Sequence, residues 1–94
     1  MPFIRVPFAL SGFTDGATDI DVEAVTVREA LQALDRKHPG IANRVLDLTG
    51  AVKPFIRIFV GADDIGGLSG LETALAERDE VAIIPAIAGG CGDA

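Results

Sequence analysis

The sequence predicts an α+β domain over residues 1–85, a mixed sheet of four to five strands packed on one main helix, followed by a flexible tail over 86–94. Three observations lead there. Apolar runs that read as strands lie near both ends of the domain, at Phe3–Phe8 and Val81–Pro85. A capped amphipathic helix is written between them, over residues 26–38. The chain has 94 residues, 49% of them hydrophobic, which supplies one modest core and leaves no room for a second domain.

From Phe3 to Phe8, Ile4, Val6 and Phe8 alternate against Phe3 and Arg5, the period of a strand, and Pro7 suits its edge or end. Ser11-Gly12 and Asp15-Gly16 are turn chemistry. Asp19-Ile20-Asp21-Val22 alternates acid with apolar residue and is the hairpin partner of the first strand. In Thr26-Val27-Arg28-Glu29 the threonine hydroxyl and the glutamate carboxylate can satisfy orphan amides reciprocally. Val27, Ala30, Leu31 and Leu34 then form one apolar stripe. Arg36, Lys37 and His38 stand where the helix dipole favours positive charge, and Pro39-Gly40 ends the helix.

Residues 39–54 read as a loop, and Phe55–Val60 as a strand with Ile56, Ile58 and Val60 on one face. Phe55, Arg57 and Phe59 occupy the other face, the open one, because a guanidinium does not belong in a small core. Gly61–Gly70 is turn-rich, with a short extended piece around Asp64-Ile65, and Leu71–Leu75 reads as one helical turn. With Val81–Pro85 the order is ββαβ(β)β, most simply a mixed sheet with one face on the helix.

Composition excludes several classes of function. The net charge is −6, so the clustered Lys and Arg of a nucleic-acid binder are missing. Cys91 is the single cysteine, which rules out an intramolecular disulfide framework. No stretch approaches the roughly 18 apolar residues of a membrane span. No basic segment leading into an apolar one opens the chain, so the expected location is the cytoplasm. Acidic residues concentrate in two segments, Asp15 to Glu23 and Asp63 to Glu80. The second could steer association with a basic partner surface.

The domain carries no self-contained catalytic set. His38 ends a helix, and without a His/Cys cluster no ordinary zinc or iron–sulfur site is expected, nor any bound cofactor. Ser11 and Ser69 lack a nucleophile-elbow context. Gly66-Gly67-Leu68-Ser69-Gly70 contains no lysine and is not a phosphate loop. The tail is different. Extended, Ala86 to Gly90 would reach about 17 Å, at roughly 3.4 Å per residue. Glycines at its end, lacking Cβ atoms, suit a backbone that threads a narrow channel and offers a carboxyl group to an enzyme.

Asp79-Glu80-Val81-Ala82-Ile83-Ile84-Pro85-Ala86-Ile87-Ala88-Gly89-Gly90 resembles the ending of the bacterial ubiquitin-like sulfur carrier proteins. That family includes the molybdopterin synthase small subunit, the thiamine sulfur carrier and the carrier that feeds a cysteine synthase. Phe55–Gly61, Gly70-Leu71 and Thr73-Ala74-Leu75 match the family's order, so the resemblance spans nearly the whole chain. It implies a β-grasp fold and a protein co-substrate rather than an enzyme. It also implies that an E1-like adenylyltransferase uses ATP to adenylate the Gly90 carboxylate, which then becomes a thiocarboxylate. Ala88, Gly89 and Gly90 would be the channel-threading residues.

One departure matters. Cys91-Gly92-Asp93-Ala94 follow Gly90, so as translated its carbonyl belongs to an amide with no carboxylate to adenylate. The resemblance implies a proform cut between Gly90 and Cys91 by a JAMM-type metalloprotease. An N-to-S acyl shift at Cys91 and an uncleaved, degenerate carrier are the other readings of the extension. The final acceptor is expected to be a cysteine synthase or sulfhydrylase-like enzyme of sulfur amino acid synthesis. The alternatives are a molybdopterin precursor, a thio-containing secondary metabolite, conjugation of Gly90 to target lysines, or a non-covalent module. Phe55, Arg57, Phe59 and Ile84 are the expected partner-docking face. Whether loop 39–54 covers those phenylalanines is open at this level.

Overall fold

A computed structural model describes residues 1–85 of the chain. Five strands form one mixed sheet: β1 (Phe3–Arg5), β2 (Asp19–Asp21), β3 (Ile56–Val60), β4 (Asp63–Asp64) and β5 (Glu80–Pro85). Their order across the sheet is β2-β1-β5-β3-β4. The central pair, β1 and β5, is parallel, with Ile4 opposite Val81, and the remaining pairs are antiparallel. Two helices, α1 (Val27–Lys37) and α2 (Ala42–Val45), share one core with the inner face of the sheet.

That core is built by parity. Ile4, Ile20, Ile58, Val81 and Ile83 point inward and are buried, as are Val27, Ala30, Leu31 and Leu34 on the stripe of α1. Burying a side chain such as Leu31 or Leu34 contributes about 1.5–3 kcal/mol. Glu29 N–H donates to the Thr26 hydroxyl at the start of α1. The return arm differs from the expected box, because Glu29 Oε1 accepts from Val25 N–H at 3.1 Å rather than from Thr26. The reason lies in the backbone around Thr26, which bridges to Ala74 and holds Val25 in an extended approach, with Leu75 N–H donating to its carbonyl.

Four local expectations are corrected. The first strand stops at Arg5, because Pro7 has no N–H for a ladder, and Phe8–Phe13 forms a 3₁₀ helix instead. Phe8, assigned by alternation to the inner face, is 90% exposed. Residues 39–54 are more than a loop. Ile41 and Val45 are completely buried at the start and end of α2, and Asp35 Oδ1 accepts from Gly40 and Ala42 N–H to hold the turn between the helices. The turn needs Gly40, whose φ is 102°, in the left-handed region that side chains disfavour.

Phe55 lies outside β3, which begins one residue later, since Ile56 N–H closes a turn onto the Lys53 carbonyl. Finally, the helical turn near residue 71 is a 3₁₀ turn over Gly70–Glu72. Its continuation is extended, because Ala74 pairs with Thr26.

The outer edge of β2 is guarded. Asp19 and Asp21 flank it as exposed acids, and Lys37 Nζ donates to the Asp21 carbonyl. Charges and a capped carbonyl make a poor template for an added strand. Among the described residues, no helix is long and apolar enough to cross a membrane.

Candidate functional site

The face of the sheet turned away from the helices is the candidate site. Cross-strand neighbours form one row over all five strands: Asp19, Arg5, Ala82, Phe59 and Asp64. Ile84 and Arg57 oppose each other two residues along, nearer the end of β5. Ile84 is 44% exposed and Phe55, just before β3, is 67% exposed. Phe59 is only partly buried, so neither aromatic ring is fully covered. Of the expected docking residues, Arg57, Phe59 and Ile84 lie on one face, and Phe55 adjoins it from the preceding turn.

Ion pairs organise this face. Arg57 Nη1 is 2.9 Å from Asp64 Oδ2, and Arg5 Nε lies between Asp19 at 3.3 Å and Glu80 at 3.4 Å. Asp64 also accepts from Gly66 N–H at 2.8 Å. That backbone bond, then the Arg57 hydrogen bond and charge, hold its carboxyl below the usual aspartate value of 3.8. Sequence reasoning missed Asp64 as the partner of Arg57. The signal was there, since the short turn after Val60 sets Asp64 opposite Phe59 and therefore diagonal to Arg57.

Pairing also thins the free acid of the 61–80 segment. Asp64 and Glu80 face arginines across the sheet, and Glu72 holds Arg28 at 2.7 Å. Beside β3, Lys53, Pro54, Ile56, Arg57, Asp64 and Leu71 line an open groove of about 410 Å³. It lies near Pro85, the last residue of β5, because Pro85 opposes Ile56. Among the described residues no group of three or more His, Cys, Asp or Glu could hold a metal ion. The site residues expected further on, Ala88, Gly89, Gly90 and Cys91, lie outside the described residues.

A mixed five-stranded sheet on one main helix, with its other face open, is a ubiquitin-like β-grasp fold. The chain belongs to the ThiS family of sulfur carriers, whose model matches residues 9–90. It is 32% identical over 89 residues to the sulfur carrier protein CysO of Mycobacterium tuberculosis, covering 93% of this chain and 96% of that one. The crystal structure of that CysO superposes with a TM-score of 0.87 over 93% of this chain and all of the other. The Amycolatopsis orientalis BexX/CysO complex contains a chain that superposes at 0.90, with 28% identity, over 96% of this chain and 100% of its own. Small archaeal modifier protein 3 of Haloferax volcanii is 34% identical over 65 residues, 69% of this chain and 70% of that one. The protein is therefore a sulfur carrier, a small ubiquitin-like protein rather than an enzyme.

Proposed function

We propose that this carrier works through the carboxylate of Gly90, released when residues 91–94 are removed by a JAMM-type metalloprotease. An E1-like enzyme then directs the carboxylate oxygen onto the α-phosphorus of ATP, and pyrophosphate leaves. A sulfur nucleophile attacks the acyl carbon, AMP leaves, and Gly90 ends in a thiocarboxylate. The order follows from reactivity. A carboxylate is a poor electrophile until it carries a leaving group, and sulfur on the acyl carbon is the softer, more readily ionised nucleophile. The recipient is a cysteine synthase or sulfhydrylase-like enzyme.

The observation that carries this reading is the run from Val81 to Gly90. Its first half lies in the central strand β5, and only residues 86–89 separate Pro85 from the reacting glycine. The face bearing Phe59, Arg57 and Ile84 adjoins that exit and offers a docking surface for the activating enzyme. The ending Pro-Ala-Ile-Ala-Gly-Gly and the mycobacterial CysO similarity support sulfur amino acid synthesis as the destination.

Intact mass of the protein purified from its own cells tests the proposal. Loss of Cys91 to Ala94 with an oxygen-to-sulfur exchange is expected, and a full-length mass under sulfur starvation would refute it. The similarity to a small archaeal modifier protein favours a second reading, in which Gly90 is joined to lysines of other proteins. Higher-mass conjugates that survive thiol treatment and map to Gly90 isopeptides would select it.

A further inference from the structure

Glu23 and Glu77, one from each acidic segment of the sequence, meet at the pole of the fold where β5 begins. Met1 and Pro2 lead into β1, Glu23, Ala24 and Val25 lead into α1, and Leu75, Ala76 and Glu77 precede β5. These three pieces wall an open groove of about 310 Å³. Its surface is mainly aliphatic, and Met1 and Val25 are each more than half exposed. Backbone hydrogen bonds join the walls: Leu75 N–H to the Val25 carbonyl at 2.8 Å, Val22 N–H to that of Pro2 at 3.0 Å, and Phe3 N–H to that of Asp79 at 3.1 Å. The groove is thus preformed, and an occupant would not have to order it.

Its rim is acidic. Glu23 and Glu77 line it directly. Glu29 accepts from Val25 N–H, and Asp79 from Ala76 N–H, at the backbone of its walls. None of these four carboxylates faces a cation in an ion pair among the described residues. Against them stand Arg78 and the Met1 amino group. We infer that this groove docks a protein segment presenting an aliphatic side chain ringed by lysine or arginine. The groove lies at the Glu80 end of β5, and the tail leaves from the Pro85 end. At roughly 3.3 Å per residue the two ends are about 17 Å apart, so such a partner can stay bound while the tail is engaged elsewhere. The docking itself does not depend on the sulfur chemistry proposed for Gly90, and only the second readout below rests on that reading.

The test is a titration of the ¹⁵N-labelled full chain with a short acetylated, amidated peptide that has a central leucine flanked by lysines. Saturable amide shifts confined to Val25, Leu75, Ala76, Glu77 and their neighbours are expected. The double variant Glu23→Lys/Glu77→Lys should weaken binding by about tenfold or more, and a serine in place of the peptide's leucine should abolish the response. Absent shifts, equal shifts at Asp19 and Asp63, or indifference to the leucine would overturn the proposal. A second readout separates this pole from the docking face near the tail. The double variant, once freed of residues 91–94, should be adenylated at the wild-type rate, and a slower rate would overturn the independence of the two surfaces.

Discussion

Arg57 and Asp64 meet at 2.9 Å across the turn between β3 and β4, and the pair stands beside Ile84, the last outward-facing side chain before Pro85. The guanidinium is 64% exposed, so solvent screens the pair and it adds little to folding. Its consequence is positional. Asp64, anchored by Gly66 N–H, holds Arg57 over the open face instead of leaving a long side chain to sample solvent.

Arg57→Glu separates these roles. It removes the cation and sets two like charges together, so docking on the activating enzyme should suffer far more than the fold. Adenylation of the processed chain, followed as pyrophosphate release, should fall at least about tenfold in kcat/KM, a loss of about 1.4 kcal/mol. The urea midpoint should shift only slightly. An unchanged adenylation rate would remove Arg57 from the docking face.

Asp64 and Asp47 make stability sensitive to acid. The Asp64 carboxyl is held low by the Gly66 N–H and by Arg57, and that of Asp47 by the Thr49 hydroxyl and then by backbone N–H groups. Both titrate lower in the folded chain than the ordinary 3.8. Their stabilisation is therefore present above that value and is lost as pH falls through the lowered folded-state values. Urea midpoints should be flat with respect to these two groups near neutrality and should decline in the acid range. Asp64→Asn should flatten part of that decline, and carboxyl carbon shifts should record both depressed titrations.

Ile41 is a core residue within a segment that has no strong periodic signal. It is completely buried between α1 and α2, whereas Leu48, seven positions on, is fully exposed. Ile41→Ala should cost about 2–5 kcal/mol in urea denaturation. Leu48→Ala should cost almost nothing. Equal effects would mean that the helical turn of α2 does not seal the core.

Thr26→Ala tests the helix cap. The Glu29 N–H would lose the hydroxyl that accepts from it, and about 1 kcal/mol of stability should go with it. Thr26→Ser should restore most of that loss in the same denaturation assay.

What the sequence determined by itself was local. The capping box and the stripe Val27, Ala30, Leu31, Leu34 specify α1 because helix hydrogen bonds join residues four apart. Alternation placed Ile58 on one face of its strand and Arg57 and Phe59 on the other, because side chains in a strand change face at every residue. The Gly-Gly ending, read through its family resemblance, pointed to a carrier, and the match to the ThiS family supports that class.

Only the tertiary structure decided the rest. Pairing β1 beside β5 in parallel joins residues nearly eighty positions apart, such as Ile4 and Val81, and no local pattern encodes that choice. The burial of Ile41 and Val45 depends on where α2 lands, and the exposure of Phe8 on where Pro7 stops a ladder. The same holds for charge. Two acidic segments that look like separate solvated stretches become, once folded, the rim of one groove and the anchors of Arg5 and Arg57, because partner choice among charges is settled by distance in space.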